Sequence, residues 1–334
     1  MVRKRQRQFP TVAIIGNTSW GNTLAGLLSG KGVGVRLWAR SEAEAKKLNR
    51  GRRSYSSTSN IEKALSETDL VIWAVPSQKL RENVAQAKDH LTRSMLLVSA
   101  AKGLEVDSGK RMSEVLSEEI APSLRGQICV LSGPNLAGEI ARGLPAVSVI
   151  AAHDIALAER ARMLMESPKF VISSSDDVIG VELGGALKNI IALGAGMIDG
   201  LGLGDNAKGA FIAWGWAEVV SLGVTLGAKA NTLYGLAGLG DVITTCASSL
   251  SRNHYVGCEL AKGRSLSEIT SSMTHVAEGV ATTAAAYKLA KDRGLRLPIV
   301  NLIYGILFEG LPPSRVLSKF KGLVAGQRSS GLSV

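Results

Sequence analysis

The chain is poor in cysteine, histidine and aromatic residues. Its three cysteines, Cys129, Cys246 and Cys258, form no C-x-x-C pair, and none sits beside a histidine at ligand spacing. This argues against a disulfide framework or a structural zinc site and fits a reducing compartment, so a cytoplasmic protein is expected. The four histidines, His90, His153, His254 and His275, make no H-E-x-x-H pattern, so no metal site is expected. Phe, Trp and Tyr make up 4% of the residues, and no aromatic-basic module follows the basic arm Arg3, Lys4, Arg5, Arg7, so nucleic acid is not an expected partner. The arm has no apolar core and does not read as a secretory signal. Long apolar runs are also missing. The longest, 190–203, is broken by Asp199 and by glycines, so no membrane span is expected.

What remains is an ordinary globular composition, 46% apolar and 20% charged over 334 residues. That length favours two domains over one core. The net charge is +11, of which the arm supplies four. The rest is spread along the chain and suits a small anionic ligand. The arm itself and the last ten residues read as disordered ends.

Short apolar runs at 11–16, 33–38, 69–75, 95–99, 127–131, 146–151 and 169–173 read as strands. Helical segments at 20–29, 60–66, 77–90, 107–119, 135–142 and 154–165 separate them. Alternation of this kind predicts an α/β fold, a doubly wound and mainly parallel Rossmann-like sheet. After the turn and cap residues at 173–177 the strand runs stop. The expected division is a dinucleotide-binding domain over 1–176 and an all-helical substrate-binding and catalytic domain over 177–334.

Two segments carry chemistry. Gly16-Asn-Thr-Ser-Trp-Gly21 follows the first strand and opens the first helix, the place of the dinucleotide fingerprint G-x-G-x-x-G. Thr18 occupies the middle glycine position, where backbone normally approaches a diphosphate. It must adopt a compatible backbone or push the cofactor outward. After the second strand stands Arg40, with Arg52 and Arg53 nearby. An arginine there suits a 2′-phosphate. The other segment is V-E-L-G-G-A-L-K-N, where helical spacing puts Val181, Gly184, Gly185, Lys188, Ala192 and Ala195 on one face. Fifteen of the 37 glycines are concentrated between Gly180 and Gly240, and the two one turn before Lys188 suggest that something comes close to that turn. Either a ligand faces Lys188 or a second helix packs on the small residues.

Further motifs are Ala101-Lys102-Gly103-Leu104-Glu105, Ser132-Gly133-Pro134-Asn135-Leu136-Ala137, Gly238-Leu239-Gly240-Asp241 with Ser251-Arg252-Asn253, and His275-Val276-Ala277-Glu278-Gly279. In this order and spacing, over about residues 11–310, the chain resembles the bacterial NAD(P)-dependent glycerol-3-phosphate dehydrogenases. The resemblance implies hydride transfer between sn-glycerol 3-phosphate and dihydroxyacetone phosphate with NADH or NADPH, a role in phospholipid synthesis, and a homodimer. It implies that Lys188 and Asp241 are catalytic. Lys102, Gly133, Asn135, Asn189, Ser251, Arg252 and Asn253 would meet substrate. Gly16, Ser19, Trp20, Gly21, Arg40, Lys102, Ala137, Arg252, Val276 and Glu278 would meet cofactor. On this reading Gly184 and Gly185 give clearance to substrate and nicotinamide. Three departures stand out: Thr18 for the second glycine, Asn135 for a serine or threonine, and Trp214 for an arginine. A related enzyme acting on a carboxylate substrate, or a nucleotide sensor without activity, are the competing readings.

Overall fold

The computed structural model describes residues 10–51 and 53–316. The basic arm, the terminal tail and Arg52 lie outside the described residues. Eight strands form one sheet: β1 (Thr11–Ile15), β2 (Gly34–Trp38), β3 (Ser56–Thr58), β4 (Leu70–Trp73), β5 (Leu96–Ser99), β6 (Ile128–Ser132), β7 (Ala146–Ala151) and β8 (Phe170–Ser175). Their order is β3-β2-β1-β4-β5-β6-β7-β8. β4 and β5 bury every residue, as expected where helices cover both faces of a parallel sheet. Along β1 the period of two sends Val12 and Ile14 into one core and Ala13 and Ile15 into the other. The chain runs outward from β1 to β3 and then returns to place β4 on the other side of β1. That reversal opens a crevice at the carboxyl ends of β1 and β4, the usual ligand site of such sheets.

The helices of this half are α1 (Ser19–Gly30), α2 (Glu42–Arg50), α3 (Ile61–Leu65), α4 (Leu80–Ala87), α5 (Met112–Glu119), α6 (Ala137–Ala141) and α7 (Ile155–Met165). The sequence reading lacks α2 and β3, and starts α5 too early. Residues 107–111 form a loop in which Gly109 has φ +71°. One strand pair departs from parallel: β6 and β7 are antiparallel. Only the five-residue α6 lies between them, too short for a crossover over the sheet, so the chain turns back on itself. The residues of that return stay at the mouth of the crevice.

From residue 178 the described structure is helical: α8 (Val178–Gly200), α9 (Gly204–Thr225), α10 (Ala230–Leu233), α11 (Asp241–Ala247), α12 (Arg252–Ala261), α13 (Leu266–Ser272), α14 (Glu278–Asp292) and α15 (Pro298–Phe308). A π-helical turn, Leu236–Gly240, leads directly into α11. Asp177 caps α8, accepting from Gly180 N at 2.8 Å and from Lys229 N at 2.9 Å. By length and composition α8 is apolar enough to cross a membrane, with mean hydropathy 1.5, yet 89% of that stretch is buried within the fold. It is the core helix of this half, packed against α9, α11, α12 and α14. Its first turns reach back to the sheet, where Val178 and Val181 pack with Val130, Val149 and Ala151.

Candidate active site

A cleft of about 360 Å³ lies between the carboxyl ends of the strands and the helices α8, α11, α12 and α14. Segments from both halves line it. The sheet half contributes Thr18 to Trp20, Ala74 to Pro76, Ala100 to Lys102 and Asn135 to Gly138. The helical half contributes Lys188, Asn189, Asp241, Thr245, Leu250 to Asn253, His275, Val276 and Glu278.

At its inner end Asp241 lies between two lysines. Lys188 Nζ donates to Asp241 Oδ1 at 2.9 Å and to Thr245 Oγ1 at 2.5 Å. Lys102 Nζ donates to Asp241 Oδ2 at 2.7 Å and to the Gly133 carbonyl at 2.6 Å. Asp241 is 2% exposed and Lys188 7%. Burial pushes the Asp241 carboxyl up, but the charges of Lys102 and Lys188 outweigh it and hold the group below its ordinary range. Burial lowers Lys102 to about 8, against the pull of Asp241 and with help from the Lys188 charge. One carboxylate thus holds two cations from opposite halves of the molecule, and burial eases the loss of a proton from one of them, Lys102.

The glycines before Lys188 do not clear space for a ligand. A Cβ on Gly184 would stand 2.8 Å from the Ala237 carbonyl oxygen, in the π-helical turn before Asp241. A Cβ on Gly185 would stand 2.1 Å from Ser132 Oγ, at the end of β6. Protein fills both spaces. The expectation of clearance for substrate and nicotinamide is therefore corrected: these glycines let α8 close onto the segments that carry Asp241 and Gly133. What they position is the carboxylate beside the lysine.

Ser251 caps α12, its Oγ accepting from His254 N at 3.2 Å, so Arg252 and Asn253 head a ten-residue helix at the cleft. Such a helix head favours an anion. Burial lowers the Arg252 pKa, opposed by Glu278. Asn253 and Asn189 brace the site: Asn253 Nδ2 donates to Asn189 Oδ1 at 2.8 Å, and Asn253 Oδ1 accepts from Gly279 N at 2.9 Å. Ser148 Oγ donates to Asn135 Oδ1 at 2.7 Å. Asn135 Nδ2 is buried and, among the described residues, meets no acceptor. An amide left so costs about 1–3 kcal/mol.

The outer end is the turn after β1. Gly16 has φ +123°, and a Cβ on Gly21 would fall 2.2 Å from the Gly16 carbonyl oxygen, so both positions demand glycine. Thr18 takes an extended backbone, φ −106° and ψ 167°. Its Oγ1 accepts from Gly21 N at 3.0 Å and donates to the Ala74 carbonyl at 2.7 Å. The side chain is spent on capping α1 and tying it to the end of β4. Ser19 and Trp20 N–H groups head α1 without intrahelical acceptors, which fits a dinucleotide phosphate. Trp20 both lines the cleft and packs edge-on against Phe170 at 6.2 Å. Ala137 heads α6, its carbonyl accepting from Thr23 Oγ1 at 3.2 Å. The Glu278 carboxylate accepts from Ser77 N at 2.9 Å and from Ser77 Oγ, and burial raises its pKa against those hydrogen bonds. Arg40 is exposed just past β2 and lies outside the cleft lining.

Thr245 escapes the sequence reading, although its spacing of four from Asp241 on one helix was a usable signal. Ser148 and Ser77 carried no such signal. Trp214 sits half-buried on α9 and is not among the residues that line the cleft. Cys246 is buried and its thiol is pushed up to about 12, which leaves it inert.

Comparison with known proteins bears on this geometry. Residues 11–158 match the family described as NAD-dependent glycerol-3-phosphate dehydrogenase N-terminus, and residues 177–318 match the corresponding C-terminus. The chain is 49% identical over 333 residues to a glycerol-3-phosphate dehydrogenase (NAD(P)+) of Dehalococcoides mccartyi, covering 96% of this chain and 93% of that one. It is 41% identical to the enzyme of the same name from Chlorobium limicola, covering 92% and 96%. A crystal structure of glycerol-3-phosphate dehydrogenase from Coxiella burnetii superposes with TM-score 0.87 at 30% identity, over 93% of this chain and 98% of that one. With both halves matched in order, the chain belongs to the NAD-dependent glycerol-3-phosphate dehydrogenase family.

Proposed function

We propose that this chain interconverts sn-glycerol 3-phosphate and dihydroxyacetone phosphate with NAD(P), in the cytoplasm, supplying glycerol 3-phosphate for glycerophospholipid synthesis. The observation that carries the reading is Asp241 held between Lys102 and Lys188 at one end of a cleft whose other end is the Gly16–Gly21 turn. The division of labour follows the two halves, with cofactor held mainly by residues 1–176 and substrate by residues 177–334.

A nicotinamide cofactor held in the cleft would supply the hydride chemistry. What is left to the protein is the proton and charge of the substrate oxygen. Lys188 commits two N–H groups to Asp241 and Thr245 and keeps a third for that oxygen. As an ammonium it stabilises developing alkoxide, and as an amine it accepts the alcohol proton. Asp241 fixes its direction. Lys102, pinned by Asp241 and Gly133, adds a second positive charge beside the substrate. Arg252, with Ser251 and Asn253 at the head of α12, takes the phosphate. Gly133 shapes the loop, Asn135 in the cleft lining meets substrate, and Asn189 holds the Asn253 amide in place.

On the cofactor side Gly16 and Gly21 set the turn. Ser19, Trp20, Ala137, Val276 and Glu278 contact the dinucleotide, and Lys102 and Arg252 face it from the substrate side. Arg40, just past β2, meets the 2′-phosphate on this reading, as its position after the second strand suggests. The test is an assay of purified protein with dihydroxyacetone phosphate and either NADH or NADPH. Substrate-dependent loss of reduced-cofactor absorbance is expected. No loss with either cofactor, or turnover only with 3-hydroxy acids, overturns the reading.

A further inference from the structure

His275 is left without a part in the reading above, yet it bridges the two halves at the cleft mouth. Its Nε2 shares a hydrogen bond with Ser19 Oγ at 3.1 Å. Ser19 is the first residue of α1, at the helix end where N–H groups await an anion. Both side chains are exposed and both line the cleft. A hydrogen bond between two solvated groups contributes little to stability by itself.

The segment carrying His275 is fixed at one end and, among the described residues, borders an apolar hollow on its other side. Two residues later the chain reaches Ala277, buried, and then Glu278, whose carboxylate is held by Ser77. Behind His275 and Val276 lies an apolar hollow of about 420 Å³, bordered by Met273, Val280 and Phe308. The imidazole is therefore anchored near the head of α1, while its segment keeps room to adjust to a ligand.

From this geometry we infer that His275 is a cofactor-binding residue, reaching from the helical half to hydrogen-bond the dinucleotide diphosphate at the head of α1. The inference rests on the assignment of the cleft to NAD(P). A diphosphate oxygen held by the Ser19 and Trp20 N–H groups replaces or shares the Ser19 hydroxyl as partner of the imidazole. The contact then links the two halves across bound cofactor.

Calorimetric titration of NADPH and of ADP-ribose, without substrate, tests it on the wild type, His275→Ala and His275→Gln. ADP-ribose carries the diphosphate without the nicotinamide. His275→Ala should raise Kd about tenfold for both ligands, the size of one hydrogen bond to a charged group. His275→Gln keeps a donor of similar reach and should recover most of that loss. An unchanged or tighter Kd in His275→Ala overturns the inference, because a contact serving only the empty cleft competes with the ligand. Wild-type protein that binds neither ligand sinks the dinucleotide reading itself, a different outcome from intact binding that ignores His275.

Discussion

At the head of α1, glycines serve the chain's own turn: Gly16 takes a left-handed backbone, and Gly21 lets the helix start against the Gly16 carbonyl. On α8, glycines serve a neighbour: Gly184 admits the Ala237 carbonyl and Gly185 admits Ser132. The first pair closes the turn itself, since a side chain on Gly16 would meet the Ala74 carbonyl oxygen at 2.7 Å and one on Gly21 the Gly16 carbonyl oxygen at 2.2 Å. The second pair is consumed by protein and brings Asp241 to Lys188. Glycine beside a charged residue therefore reports close approach without saying what approaches. At α8 the approaching group is the part of the protein that makes the lysine useful.

The largest effect should come from Lys188→Ala. Asp241 keeps its bond to Lys102 in that variant, so the buried carboxylate stays paired and the fold should hold. Turnover should fall about 10²–10⁴-fold, the range of one acid–base group, with an unchanged circular dichroism spectrum. Asp241→Ala is a poorer probe, since it strands two buried ammonium groups and costs stability of about 3–5 kcal/mol. A Lys188→Ala enzyme with near-normal turnover removes Lys188 from the chemistry and leaves α8 as a packing helix alone.

Gly184→Ala breaks the comparison more directly. If the glycine cleared space for a ligand, alanine would stabilise the free protein by about 1 kcal/mol through helix propensity. The Ala237 carbonyl at 2.8 Å predicts the reverse, a net loss of about 1–3 kcal/mol in urea unfolding before any ligand is added. Gly185→Ala should also destabilise, and Ser132→Ala should relieve part of it, because the overlapping atom is the serine hydroxyl. Additive losses in the double variant would deny that the two residues share one space.

A smaller effect concerns Lys102, whose pKa is lowered to about 8. Its charge is present below that pH and lost above it. The KM for dihydroxyacetone phosphate should therefore rise several-fold between about pH 7 and about pH 9. Lys102→Arg, which keeps its charge throughout, should flatten that rise. A profile identical in both proteins assigns the titration to another group.

Much of the fold was legible because buried parallel strands read as apolar runs whatever their neighbours. β3 was not, since Ser56–Thr58 is an edge strand with nothing apolar to show. The antiparallel β6–β7 pair was not, since strand direction is decided by the short connection and leaves no mark on Cys129–Leu131 or Val147–Ile150. Lys188, Asp241 and Lys102 were found through motif order. Their joining through one carboxylate needed the fold, because Lys102 and Asp241 lie 139 residues apart. His275 stood at the head of a motif, but its contact with Ser19, 256 residues away, needed the fold.

The smallest effect returns to the head of α1, where Thr18 stands in place of a glycine. The structure gives its hydroxyl two partners, Gly21 N and the Ala74 carbonyl, and a backbone that any residue adopts. Thr18→Gly should therefore lose a few tenths of a kcal/mol for the cap, since glycine caps nearly as well, and about 1 kcal/mol for the bond to the Ala74 carbonyl. Thr18→Val, which keeps the shape without the hydroxyl, should lose at least as much. Cofactor affinity should change less than about threefold in either, since capping and not diphosphate contact is what the hydroxyl does. A tenfold gain in NADPH affinity for Thr18→Gly alone would show that the threonine holds the cofactor away. The turn after β1 would then be the region where a side chain obstructs a ligand, and α8 the one where missing side chains never concerned a ligand.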